Sequence, residues 1–270
     1  MRLGSTVWDY IVLGFLAIFY LLPIVMVVIY ALAEVWYFGT SIIPEKLGLK
    51  WISMMISDPY VQRAFINSYI LAPLTGIATV ALCIFPAYYL ASNRGHLAII
   101  TETIVNLMIS LPAIAVGTGL LVLYTYLGLV GNFAALVPAH MFFAVPFSLR
   151  SITASFMQVP KELEEAARVL GASRLKAILK VYLPITWRGM LAAFLFSLAI
   201  SLNEFVMTLF LGAPSIKTLS LVVYELIRGY AISPPRAAAV SLFILVPSVI
   251  AGFLSEKYLR VSIALSGGGT

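Results

Sequence analysis

The sequence predicts an all-α, polytopic membrane protein with six transmembrane helices and a pair of short charged helices between the fourth and the fifth. Three observations carry this. Hydrophobic residues make up 62% of the chain and charged residues only 10%, where a soluble domain has roughly a quarter of its residues charged. Six apolar stretches approach or exceed the roughly 20 residues that cross a bilayer as a helix. Lysine and arginine collect in alternate connections, as they do in chains threaded through a membrane.

The first stretch, Trp8–Ala33, is about twice as long as a signal-peptide core and lacks a small-residue cleavage site, so it is expected to stay as an anchor. Glu34 to Arg63 follows, and its Trp36, Tyr37, Trp51 and Tyr60 suit the membrane–water interface. Spans two and three are Phe65–Ala91 and Ile99–Tyr126. Within the third, Pro112, Gly117 and Gly119 allow a bend or a close approach. The fourth, Phe133–Leu149, is short and carries Pro138, His140 and Pro146, with His140 expected as a satisfied packing histidine. The fifth and sixth are Met190–Leu211 and Ala237–Leu254. Between them Thr218 to Arg228 alternates like a short amphipathic helix. Asn67, Ser68, Asn106 and Ser110 are expected to knit helices together, and the final "SGGGT" to be a flexible tail. Residues 1–270 are read as a single membrane domain without an internal repeat.

With the N-terminus inside, one set of connections holds Arg2, Arg94, Arg150, Lys161, Arg168, Arg174, Lys176, Lys180, Arg188, Lys257 and Arg260. The other holds Lys46, Lys50, Arg63, Lys217, Arg228 and Arg236. Eleven and six account for all 17 cations, so both termini are expected in the cytoplasm. The net charge of +6 is thereby explained without nucleic acid as a partner. The single cysteine, Cys83, excludes an intramolecular disulfide and a cysteine-based metal site.

The region from 150 to 189 breaks the apolar pattern. In "VPKELEEAARVLGASRLKAILKVYLPITWRG", Pro160 suits the first turn of a helix, and Leu163, Ala166, Ala167 and Leu170 recur on one face. Lys161 with Glu165, and Glu164 with Arg168, stand at pairing distance. Gly171 can take the left-handed conformation that closes the helix. A second helix from about Ser173 would carry Leu175, Ile178, Leu179 and Tyr182 on one side, with Pro184 ending or bending it. Apolar stripes this narrow need a cover, either the bilayer surface and the protein's own bundle or a docked partner.

Glu165, Ala166, Ala167, Gly171, Val181, Leu183 and Pro184 reproduce, at the same spacing and between membrane spans, the EAA pattern of ATP-binding-cassette importer permeases. The chain resembles that type I family over nearly its whole length. "SLNEFVMTLFLGAP", "TLSLVVYELIR" and "SPPRAAAV" are similar to the second permease of spermidine/putrescine-type importers, while Asn203-Glu204-Phe205 and "EKYLR" also have sugar-permease counterparts. The resemblance implies a coupling role for Glu165, Ala166, Ala167, Gly171, Leu183 and Pro184, through which a separate ATPase drives alternating access. It also implies partners: two ATPase copies carrying ATP and Mg, a homologous second permease in a heterodimer, an extracytoplasmic solute-binding protein and the lipids of a prokaryotic inner membrane. It implies neither a cofactor nor catalysis in this chain, which has no Gly-Lys dipeptide for a phosphate-binding loop. A polyamine is the expected solute, with a sugar, an aminoalkylphosphonate or ferric ion as alternatives. A channel or secondary transporter would have no reason to keep the coupling pattern.

An ionisable group inside a span costs several kcal/mol unless it faces protein or water. Glu204 is therefore the candidate for the substrate pathway, with Asn203 and Tyr224 as neutral contacts. The alternative is a structural carboxyl between helices.

Overall fold

The computed structural model describes residues 7–37, 41–229 and 232–266. Arg2, the end of the "SGGGT" tail and the side chain of Arg260 lie outside the described residues. The fold is all-α apart from one small ribbon. Among the described residues five helices are long and apolar enough to cross a membrane, six if one bent pair counts as a single span.

The chain divides into two compact units, the first formed by residues 1–62 with 222–243. Helix α1 (Val7–Leu32) leads into strands β1 (Ala33–Val35) and β2 (Lys46–Leu47), which pair antiparallel with Ala33 opposite Leu47. The segment that holds the interfacial aromatics thus carries secondary structure of its own. Lys46 bonds Glu34 at 2.7 Å, and the Trp51 indole of α2 (Lys50–Ser57) donates to Ala33 O at 2.7 Å. A Cβ on Gly48 would stand 2.1 Å from Glu34 Oε1, so a side chain there would displace the carboxylate that holds Lys46. Tyr60 donates to the Glu225 carboxylate.

The second unit comprises residues 63–221 with 244–270. Most of α3 (Pro59–Ser92) lies in it, longer than the expected span and enclosing Arg63. The expected third span is broken. Helices α4 (His96–Ser110) and α5 (Ala113–Tyr126) meet at 102°, because Pro112 has no N–H to continue α4 and takes an extended ψ of 127° at the start of α5. Gly117 packs against Phe210 and Met207, whereas a Cβ on Gly119 would meet open space.

Helix α6 (Phe133–Phe156) begins on an Asn132 cap that accepts from Ala134 N at 2.9 Å. It runs seven residues past the expected end at Leu149, so Arg150 lies within the helix and donates to Asn106 of α4. A charge looked like a boundary, but Ser151 and Ser155 continue the buried face by bonding carbonyls. Helix α7 (Lys161–Val169), the four-residue α8 (Arg174–Ala177), a π-helical turn (Ile178–Tyr182) and α9 (Leu183–Asn203) follow. Pro184 does not end the helix. The π turn absorbs its missing donor, with Leu183 N reaching back five residues to Ile178 O, and the kink falls at Thr186.

Small residues seal α6 to α9. Ser148 bonds Ser197 at 2.6 Å and Ala193 O at 3.1 Å, and Ser151 bonds Gly189 O at 3.2 Å. In lipid such close packing replaces the hydrophobic drive between helices. The expected fifth span is interrupted at Glu204 and Phe205, after which a second π turn (Thr208–Gly212) leads to α10 (Leu219–Arg228). Asn67 and Ser68 hold this region, bonding Lys217 O at 2.9 Å and Leu219 N at 2.8 Å. Ser110 bonds only within its own helix, to Asn106 O. Helix α11 (Pro234–Ser266) exceeds the expected sixth span at both ends.

Candidate coupling surface and membrane pathway

Helix α7 has no buried residue. Glu162 and Glu164 in its first turn and Arg168 in its last complement the helix dipole. Its end is a Schellman motif: Gly171 N donates to Arg168 O at 2.9 Å and Ala172 N to Ala167 O at 3.0 Å, with Gly171 at φ +82°. Ser173 then caps α8 through Lys176 N.

The apolar face of α7 is uncovered. Leu163 is 43% exposed, and Val169 and Leu170 are each 87% exposed. Glu165, Ala166 and Gly171 are exposed and Ala167 is half-buried. Leu183 packs at the edge of the core around Phe156 and Tyr182, and Pro184 sits exposed in the first turn of α9. On α8 and the π turn the expected face divides. Ile178 and Tyr182 are buried, while Leu175 and Leu179 remain about half exposed.

Neither expected ion pair of α7 is formed. Glu164 turns inward instead. One carboxylate oxygen accepts from the Tyr88 hydroxyl of α3 at 2.5 Å and the other from the Tyr182 hydroxyl at 2.7 Å. Periodicity placed Glu164 on the solvated face because two phenols from distant parts of the chain leave no trace in local spacing.

Glu204 caps the break after α9. Its Oε1 accepts from Met207 N at 3.0 Å and its carbonyl accepts from Ser220 at 2.8 Å. Asn203 bonds Ala199 O at 2.8 Å and Ser248 of α11 at 2.9 Å. Tyr224 is an exposed residue of α10 in the first unit. His140 is fully buried and satisfied, as expected: Nδ1 meets Ser201 at 2.9 Å and Nε2 meets Thr208 at 3.2 Å, so it bridges the two sides of the break. The short, proline-bearing fourth stretch gave no hint of those hydroxyl partners.

An exposed, amphipathic helix with a glycine-closed end, set between long apolar helices, is the expected architecture of an importer permease. The family model for binding-protein-dependent transport system inner membrane components matches residues 84–259, well over half of the chain. The chain belongs to this family. Among curated members, the trehalose/maltose transport system permease protein MalG of Thermococcus litoralis is 26% identical, over 90% of each chain. The molybdate/tungstate permease protein WtpB of Pyrococcus abyssi is 26% identical over 73% of this chain and 79% of its own. The spermidine/putrescine permease protein PotC of Shigella flexneri is 24% identical over 81% and 82%. The fold agrees with a chain from a bacterial ABC transporter involved in alginate import, at TM-score 0.74 and 17% identity over 96% of this chain and 99% of that one. A structure of a bacterial alginate ABC transporter in complex with a pentasaccharide-bound periplasmic protein matches at TM-score 0.66 and 17% identity, over 97% and 96%. The chain is therefore a membrane-embedded permease subunit of an ABC importer.

Proposed function

We propose that α7 is the surface on which a separate cytoplasmic ATPase docks, and that its displacement drives alternating access for a small solute. The observation that carries this is the exposure of Leu163 and Leu170 on the apolar face, with Val169 bare beside them, on a helix whose polar anchor, Glu164, turns inward. Ala166 and Ala167 leave low relief for a close approach beside the exposed Glu165, and Gly171 fixes the turn into α8. ATP and Mg belong to the ATPase, present in two copies, and this chain catalyses nothing itself. A second permease, homologous and non-identical, completes the pathway, and an extracytoplasmic protein delivers the solute. Both compact units serve one permease domain, in a prokaryotic inner membrane with both termini inside.

For the solute we favour a polyamine, on the similarity of residues 201–214 and 233–240 to polyamine permeases, with Glu204, Asn203 and Tyr224 along its route. Relatives of comparable identity are named for molybdate/tungstate and trehalose/maltose. Calorimetric titration of the cognate binding protein with spermidine, maltose and molybdate decides among them.

Ala166→Asp and Gly171→Val test docking. The first puts a charge into the contact; the second places a β-branched residue at φ +82°, where a left-handed conformation costs roughly 1–2 kcal/mol or more. Both variants are expected in the membrane at normal levels without co-purifying ATPase. Undiminished ATPase recovery with both would remove the docking role.

A further inference from the structure

Glu164 joins three elements through one side chain. Its two oxygens take hydroxyl protons from Tyr88 on α3 and from Tyr182 at the end of the π turn, at 2.5 and 2.7 Å. The two phenol rings meet edge to face, 5.2 Å apart at 90°, and Tyr182 packs in turn on Phe156 of α6 at 5.3 Å. Hydrogen bonds to a carboxylate are about twice as strong as neutral ones. On α7, which buries no residue, this anchor is the inward hold.

Two features around the anchor suit movement. A cavity of about 240 Å³, lined by Ser92, Phe156, Lys161, Glu164, Arg168 and Tyr182, lies between α7 and the helices beneath it and leaves space on that side of α7. Beside it, the π turn at 178–182 is a register in which backbone bonds can slip by one residue, a feature concentrated at functional sites. From Tyr182 the chain runs through α9 to the break at Glu204, and from Tyr88 back through α3, whose 34 residues are long enough to span the bilayer.

We propose that Glu164 is a positioning residue that transmits displacement of α7 to α3 and α9 through the Tyr88 and Tyr182 hydroxyls. This rests on α7 being the ATPase docking helix. A force on the exposed face of α7 reaches the membrane through a clamp in which both carboxylate oxygens are needed, one for each helix. The substitution Glu164→Gln would keep one acceptor and Glu164→Ala neither, so function should decline in the order Glu, Gln, Ala.

The test uses the assembled importer in lipid nanodiscs, with Cys83→Ala and a single reporter, Ser215→Cys, beyond the far end of α9. Its labelling rate by a maleimide is measured without nucleotide and with ATP plus vanadate, alongside ATPase co-purification. The parent is expected to change rate with nucleotide. Tyr88→Phe/Tyr182→Phe keeps both rings and their packing but removes both hydroxyls. It is expected to retain the ATPase and to lose about two- to thirtyfold of the response, the range over which one site in a coupling network acts. Glu164→Gln should fall between it and the parent. A parent-like response in the double variant overturns the proposal, and so does a parent rate that ignores nucleotide. Loss of the ATPase from the Phe variants would place these residues in the docking contact and overturn transmission. Failure of the docking reading shows separately, as ATPase retained by both Ala166→Asp and Gly171→Val.

Discussion

Gly189 of α9 lies so close to Ser155 of α6 that a Cβ on the glycine would sit 1.7 Å from Ser155 Oγ and 2.5 Å from Ser155 Cβ. Rotating the hydroxyl cannot relieve the second contact, so Gly189→Ala must push α6 and α9 apart along their most closely bonded seam. The expected cost is about 1–3 kcal/mol, as for other overpacked cores. Thermal unfolding in detergent should show a lower midpoint for Gly189→Ala. Ser155→Gly should restore it and Ser155→Ala only incompletely. Equal rescue by the two would mean that the hydroxyl alone sets the spacing.

Glu204 gives a second test. Its carboxylate serves the backbone at the break after α9 by accepting from Met207 N. Glu204→Gln keeps an acceptor there, whereas Glu204→Ala forfeits a cap worth about 0.5–2 kcal/mol. Purified yield and thermal stability should therefore follow Glu, then Gln, then Ala. If the carboxylate also meets a polyamine ammonium, Gln should assemble well yet slow spermidine uptake by about thirtyfold, the lower end of what losing one member of a buried charge pair costs. Full spermidine uptake with Gln, beside poor assembly with Ala, would confine Glu204 to its capping role.

What local spacing encodes was legible in the sequence, and what distant residues decide together was not. Span existence, the helical pair and the left-handed turn at Gly171 follow from hydropathy, periodicity and residue type. Arg150 was misplaced because a charge in a membrane chain resembles an end, although Asn106, more than forty residues earlier, supplies its partner. The break at Glu204 was hidden because apolar residues continue through it, and its closure depends on Ser220 and Met207. For the candidate coupling surface, the outward face was visible in the pattern. The inward anchor was not, since Tyr88 and Tyr182 stand 76 and 18 residues from Glu164.

The Glu34–Lys46 bond predicts a pH effect on the ribbon of β1 and β2. The Lys46 ammonium, hydrogen-bonded to Glu34, holds that carboxyl below its usual value of 4.5. A carboxyl lowered on folding adds stability above its unfolded value and loses it as pH falls through the folded one. The ribbon should hold from neutral pH down to the usual carboxylate range and loosen below it. Trp51, bonded to Ala33 O beside the ribbon, reports this in a variant keeping Trp51 as its one tryptophan. Its emission should shift as pH falls below 4.5. Glu34→Gln should abolish that transition, and Lys46→Met should move it upward. A midpoint unaffected by Lys46→Met would show that the lysine does not set it.

Orientation follows from charge and can be read with the same single-cysteine chemistry. The positive-inside rule counts cations near helix ends as well as in loops. Placing Arg63 within α3 and Arg150 within α6 therefore leaves the balance at eleven against six. Lys50 and Lys176 stand on opposite sides in that arrangement, and both are exposed, so failure to label reports sidedness rather than burial. Cys83, the native thiol, is buried and is replaced by alanine to remove background. In intact cells an impermeant maleimide is expected to modify Lys50→Cys at once, and Lys176→Cys only after permeabilisation. The bent α4–α5 pair makes the outcome informative about the fold as well as the orientation. If the pair crosses as one span, the two positions fall on opposite sides. If it enters and returns on the same side, they fall together, and labelling of Lys176→Cys from outside would replace the six-span arrangement with five crossings.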